Sequence, residues 1–317
     1  MRPRVIMVLA IASILLGGGM LVPAAYARLN DGSGLGVFGA DPPPLAEVAP
    51  PPPPTLAPAE VSVPDVGPFF SWALLDRSTG KISGSKNITA TNSTESMIKI
   101  WIVADYLRRL GDAEPPAEDK RRASTAIRDS DDVAAQALYR KGGGAPVIDR
   151  MIRICGLTDT KKVIPPGEST VWWSYTRISA RDAVRLGECV KNGKAAGEKW
   201  TPWVLDEMRK VRGTTAPKDQ QRTRGGGRWG IIDGLPKEML EREQIAIKNG
   251  WTLIYADGLW HLNCLAVADD WVLAVLMRYP GRKGLDFGAN VCGSVASQLV
   301  TAQPGAALKV PRPLVKS

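Results

Sequence analysis

Ser96-Met97-Ile98-Lys99 sets a hydroxyl and an amine three residues apart at the start of an apolar segment. Met97, Ile98, Trp101, Ile102, Tyr106 and Leu110 recur at helical spacing, which predicts a helix with Ser96 at or just inside its N-terminus and Lys99 on the same face. The two side chains can therefore meet. A serine hydroxyl is a poor nucleophile at neutral pH, but a desolvated lysine of lowered pKa can take its proton as it attacks. The helix N-terminus adds backbone N–H groups and partial positive charge for a developing oxyanion. Taken alone, the stretch also reads as an ordinary N-cap serine followed by an exposed lysine.

Two further motifs bear on that choice. Ser130-Asp131-Asp132 precedes the helical run Val133 to Tyr139 and resembles S-D-N. Lys248-Asn249-Gly250 lies between Ile245-Ala246-Ile247 and Trp251-Thr252-Leu253-Ile254, a strand carrying a K-T-G type of motif as K-N-G. The three elements follow the order of a serine penicillin-recognising enzyme. On these residues the chain resembles the class A β-lactamase-like serine hydrolases, which share their fold with the penicillin-binding D-Ala-D-Ala peptidases. The resemblance covers about residues 67 to 303. Phe69 to Leu75 with Asp76 and Gly80 looks like the opening hairpin, Ala145 to Leu157 like a mid-domain helix, and Ser179-Ala180-Arg181-Asp182 like a helix cap after an Ω-type loop. Trp260 to Val267, Trp271 to Tyr279 and a terminal helix over Ala289 to Val300 complete the pattern. The implied fold is α/β and β-lactamase/transpeptidase-like: an antiparallel sheet flanked by helices, enclosing an all-α subdomain from about Ser96 to Leu240.

The resemblance implies roles residue by residue. Ser96 would be the acylated nucleophile and Lys99 its base, and Ser130 would relay a proton to the leaving nitrogen. Lys248 would hold a substrate carboxylate and polarise Ser130, with Asn249 and Gly250 beside it. The N–H groups of Ser96 and Trp251 would receive the oxyanion. Arg228 reads either as a second carboxylate contact or as an exposed arginine without a role. The expected substrate is a β-lactam or a peptidoglycan-like small molecule, the expected chemistry is an acyl-enzyme on Ser96 without a cofactor or metal, and the expected state is a monomer. The same residues would serve a D-Ala-D-Ala carboxypeptidase or an esterase, and a decayed hydrolase fold that binds envelope material without catalysis is the other reading.

The departures matter as much as the matches. Asp132 stands where the motif has asparagine, replacing a side chain that donates by one that only accepts when ionised. Asn249 replaces a threonine hydroxyl. Only 34 positions separate Ser96 from Ser130, which predicts a pared-back wall around Asp112 to Glu118 and a more open cleft. The E-x-x-L-N segment that supplies the deacylating base in class A enzymes has no full match. Glu168, followed by Ser169-Thr170-Val171-Trp172, is a candidate by position, and an ordinary loop carboxylate is the alternative.

Met1 to Ala27 combines Arg2 and Arg4, an apolar core and Ala25-Tyr26-Ala27, the pattern of a signal peptide; an uncleaved anchor is the alternative. Residues 28–66, rich in proline at 42–44 and 50–54, read as an extended linker, 67–303 as the catalytic domain and 304–317 as a tail. The chain is expected outside the cytoplasmic membrane and in contact with it only during export. Formal charge is +9, or +7 once Arg2 and Arg4 leave with the leader. Because the basic residues are scattered, a nucleic-acid partner is not expected; an anionic envelope or acidic substrates fit better. Cys155, Cys189, Cys264 and Cys292 form an even set with no metal-ligand C-x-x-C. Buried free thiols are one reading, and the family fold would pair Cys155 with Cys189 and Cys264 with Cys292. His261 is the sole histidine, which excludes a multi-imidazole zinc site; its strand context reads as a core or edge histidine rather than a base.

Overall fold

Long apolar runs with alternating pleats make the sheet, and their register fixes where the site can form. In the computed structural model, residues 61–221, 225–242 and 244–300 are described. The proposed leader, nearly all of the linker and the C-terminal tail lie outside them. The order is β1 (Phe69–Asp76), β2 (Ile82–Gly84), β3 (Thr91–Ser93), α1 (Lys99–Leu110), α2 (Ala117–Arg128), α3 (Asp132–Lys141), α4 (Pro146–Cys155), β4 (Arg177–Ser179), α5 (Ala180–Lys191), α6 (Thr201–Arg209), α7 (Lys237–Arg242), β5 (Ala246–Ile247), β6 (Gly250–Ile254), β7 (Leu259–Val267), β8 (Trp271–Pro280) and α8 (Gly284–Leu299).

The main sheet runs β2-β1-β8-β7-β5, with β6 also on β7, and every pairing is antiparallel. β7 and β8 are buried along nearly their whole length, as expected of strands covered on both faces. α8 packs on one face, and α5 packs against β1, β7 and β8. β3 and β4 form a separate two-stranded ribbon. α1, α2, α3, α4 and α6 make the helical part, whose core includes Trp101, Leu107, Ile127 and Leu138.

Local chemistry sets the helix ends. Asp131 caps α3 by accepting from the Ala134 N–H, and Ser179 caps α5 by accepting from the Asp182 N–H. Gly156, left-handed, closes α4. The two disulfides are Cys155–Cys189, tying α4 to α5, and Cys264–Cys292, tying β7 to α8.

Two boundaries differ from the sequence reading. The last helix begins at Gly284 rather than Ala289, because Leu285 and Phe287 find apolar neighbours beneath that extra turn. The expected helical subdomain is also not one continuous stretch. α5 serves as a wall of the sheet, and the turn 231–234 packs on α8, where a Cβ on Gly234 would collide with the Gly293 carbonyl oxygen.

Candidate active site

The register of β5 and β6 on β7 is continuous, with Ile247 opposite Ala266 and Gly250 opposite Asn263. The Lys248 N–H donates to the Leu265 carbonyl. Alternation along this line puts Lys248, Gly250 and Thr252 on one face and Asn249 and Trp251 on the other. It also turns the Trp251 N–H outward from the open edge. The first face meets the turn that carries Ser96. A Cβ on Gly250 would stand 2.6 Å from Met97 N and Thr94 O and 2.8 Å from Ser96 N, so glycine is what lets the strand approach the backbone at Ser96.

Ser96 sits in a 3₁₀ turn over Glu95–Ile98 that runs into α1 at Lys99. Lys99 Nζ and Ser96 Oγ are 2.8 Å apart. The same Nζ donates to the Ser130 carbonyl, lies 3.3 Å from Ser130 Oγ and is 2.6 Å from Asp132 Oδ1. Lys248 Nζ lies 2.9 Å from Ser130 Oγ and 3.1 Å from the Asn249 carbonyl. Hydrogen bonds thus run from Ser96 through Lys99 and Ser130 to Lys248. Both lysine side chains are fully buried. Burial pushes the Lys99 ammonium down in pKa, and the Asp132 carboxylate opposes it. Burial, then the nearby Lys99 charge, takes Lys248 well below its ordinary range.

Glu95 (φ 46°) and Ser130 (φ 57°) both adopt the left-handed conformation that non-glycine residues rarely take, and both flank this chemistry. The Glu95 carboxyl, missed by the sequence reading, is 3% exposed and lines the cleft. Its Oε2 accepts from Thr252 Oγ1 at 2.8 Å. Burial raises its pKa to about 7, against the pull of the Ser93 and Thr252 hydroxyls. Glu95 adjoins Ser96 in the chain, but nothing in the sequence says that its side chain folds beneath Thr252.

The cleft has a volume of about 960 Å³. Ser96, Ser130, Asp132 and Trp251 line it, facing a wall from Thr170 to Tyr175. Asp182 anchors the loop behind that wall by accepting from the N–H groups of Thr158 and Asp159. The Lys161–Arg177 bridge closes the loop, and the Thr94 N–H donates to the Thr176 carbonyl beneath the turn that carries Ser96. Trp173 Nε1 donates to Gln136 on α3, and its ring lies 5.3 Å from Lys99 Nζ.

Three residues singled out from the sequence stand elsewhere. Glu168 is exposed in a turn where its N–H donates to Pro165, away from the cleft lining. Arg228 is exposed and also outside the lining. Asn249 is buried, and its amide donates to the carbonyls of Gly227 and Trp229, so it fastens the neighbouring loop instead of reaching the cleft. Strand alternation turns position 249 away from Lys248 and toward the loop at 227–229, which takes up its amide. His261 is buried on β7, with Nε2 2.8 Å from Asp257 Oδ2 and Nδ1 2.8 Å from Ser93 Oγ. Those contacts have serine-histidine-aspartate connectivity, but Ser93 is buried and lies off the cleft.

No protein-family profile matches the chain. Proteins of Mycobacterium bovis and Mycobacterium tuberculosis named "Putative lipoprotein LppW" are 30% identical over 203 residues, 62% of this chain. The match spans 59% of the length of those relatives. Among solved structures, the β-lactamase of Xanthomonas campestris is similar with a TM-score of 0.55 and 16% identity over 73% of this chain and 91% of that one. The TLA-3 extended-spectrum β-lactamase gives 0.55 and 15% over 75% and 95%, and the β-lactamase of Desulfarculus baarsii gives 0.53 and 14% over 72% and 89%. At such identities the likeness is one of fold. The chain has the class A β-lactamase fold.

Proposed function

We propose that the protein is an exported serine hydrolase of the cell envelope that is acylated on Ser96 by β-lactams and releases the acyl group slowly. The observation that carries this reading is the chain of hydrogen bonds Ser96–Lys99–Ser130–Lys248 around a fully buried lysine at the cleft floor. Ser96 Oγ attacks the lactam carbonyl carbon as Lys99 Nζ takes its proton. The oxyanion is received by the N–H groups of Ser96 and Trp251. When the C–N bond breaks, Ser130 passes its proton to the departing nitrogen and is reprotonated through the buried lysines. A lowered Lys99 pKa favours the neutral amine this step needs.

Release requires a base to aim a water at the ester. Glu168, the sequence candidate, stands away from the cleft, which supports slow deacylation. Export is supported by the leader pattern and by the likeness to proteins named as lipoproteins.

The test is labelling with a fluorescent penicillin, followed by intact-protein mass. A persistent stoichiometric adduct on Ser96 is expected, lost in Ser96→Ala and Lys99→Ala and retained within a few fold in His261→Ala. Rapid turnover without an adduct, abolished by Glu168→Gln, would contradict slow release. Loss of labelling in folded His261→Ala would move the base to the imidazole.

A further inference from the structure

Asp132 and Glu95 give the surroundings of Ser96 an acidic character. Asp132 begins α3 with its side chain 73% exposed. One oxygen is 2.6 Å from Lys99 Nζ, and the other has no protein partner among the described residues. An ionised carboxylate accepts hydrogen bonds and donates none. An amide carbonyl brought against that oxygen would set lone pair against lone pair, whereas an ammonium would donate to it.

Glu95 is an independent observation. Its Oε1 is buried without a hydrogen-bond partner, and the residue lines the same cleft, a second carboxyl beside Ser96. Among the described residues, receptors for an anion near Ser96 are scarce. The Lys248 ammonium is buried between Ser130 Oγ and the Asn249 carbonyl, Asn249 is committed to backbone, and Arg228 is outside the cleft. Arg140 lines the mouth, but it is eight residues further along α3, about 12 Å at helical rise. Asp129, also on the lining, is held by Arg212 through both oxygens and contributes little net charge.

We propose that this site, taken as the acylating centre described above, selects acyl donors that carry a free ammonium on an aminoacyl side chain, and that Asp132 receives it. The substrate class is then lactams or amides bearing such an aminoacyl side chain, with a charge-assisted contact at Asp132 orienting the scissile carbonyl toward Ser96.

Ampicillin and benzylpenicillin differ by one side-chain ammonium, and N-acetylampicillin keeps the bulk without the charge. Their acylation rates on the full chain can be compared by competition with a fluorescent penicillin and by adduct mass. Ampicillin is expected to acylate about tenfold faster than either neutral analogue, corresponding to one charge-assisted contact. High salt should shrink the ratio, and Asp132→Asn should bring it to about one. Because each protein is read as a ratio, loss of overall rate in the variant does not blur the result, and the wild-type comparison stands without it. Equal rates for the three penicillins in the wild type, or an unchanged ratio in Asp132→Asn, would overturn the proposal. No labelling by any of them would overturn the acyl-enzyme reading itself.

Discussion

Glu95 shows how one buried side chain couples folding to the site. A carboxyl whose folded pKa is raised to about 7 costs nothing below about pH 4.5, where it is protonated in both the folded and unfolded states. Above that, the unfolded chain ionises first. Stability falls as pH rises and the penalty is complete above about pH 7, with a ceiling on the order of 3 kcal/mol. Glu95→Gln keeps the shape and an acceptor for Thr252, so it should stabilise the protein more at about pH 8.5 than at about pH 5. Urea midpoints at the two values measure the difference; identical gains would mean that the carboxyl is already ionised in the fold. Ser96 and Lys99 could be singled out from spacing because their chemistry is local to one helical turn. Glu95 could not, since its burial depends on Thr252, which is 157 positions away. The fate of Asn249 was hidden for a related reason: the motif names the residue, but only the loop at 227–229 shows where its amide is spent.

At the scale of elements, the meeting of β6 with the turn that carries Ser96 governs whether the site assembles. Gly250→Ala would put a methyl against three backbone atoms that cannot swing aside. We expect a loss of about 1–3 kcal/mol from overpacking and a fall in acylation of about a hundredfold, as the Trp251 N–H is displaced from Ser96. Thermal melting and penicillin labelling together separate the two effects; a variant that labels like wild type would show that the approach is not critical. The elements themselves were largely readable, because α1, α3, β7 and β8 carry strong periodicity. The start of α8 and the position of α5 were not, since both depend on which apolar face a neighbouring strand presents. The acidic first residue of α3 was visible in the sequence, but its consequence for Lys99 needed the 2.6 Å contact.

In the whole molecule, each disulfide closes a modest span, 34 residues for Cys155–Cys189 and 28 for Cys264–Cys292, and each joins two elements that pack on or near the sheet. Removing either pair with Cys→Ala substitutions should cost about 2–4 kcal/mol. Urea unfolding of the oxidised protein and of each double variant would test this, and four alkylatable thiols in the mature protein would mean that neither bridge forms. The single histidine has a further use. His261 is held between Asp257 on its outer side and Ser93 on its inner side, and the Ser93 hydroxyl also acts on Glu95. With one histidine in the chain, the two imidazole C–H protons give one unambiguous pair of NMR resonances, without labels or mutations. Those resonances would register a proton arriving at or leaving the carboxyl beside Ser96. The fold thus carries its own spectroscopic gauge of the cleft floor, readable in the untreated protein and again after exposure to a penicillin.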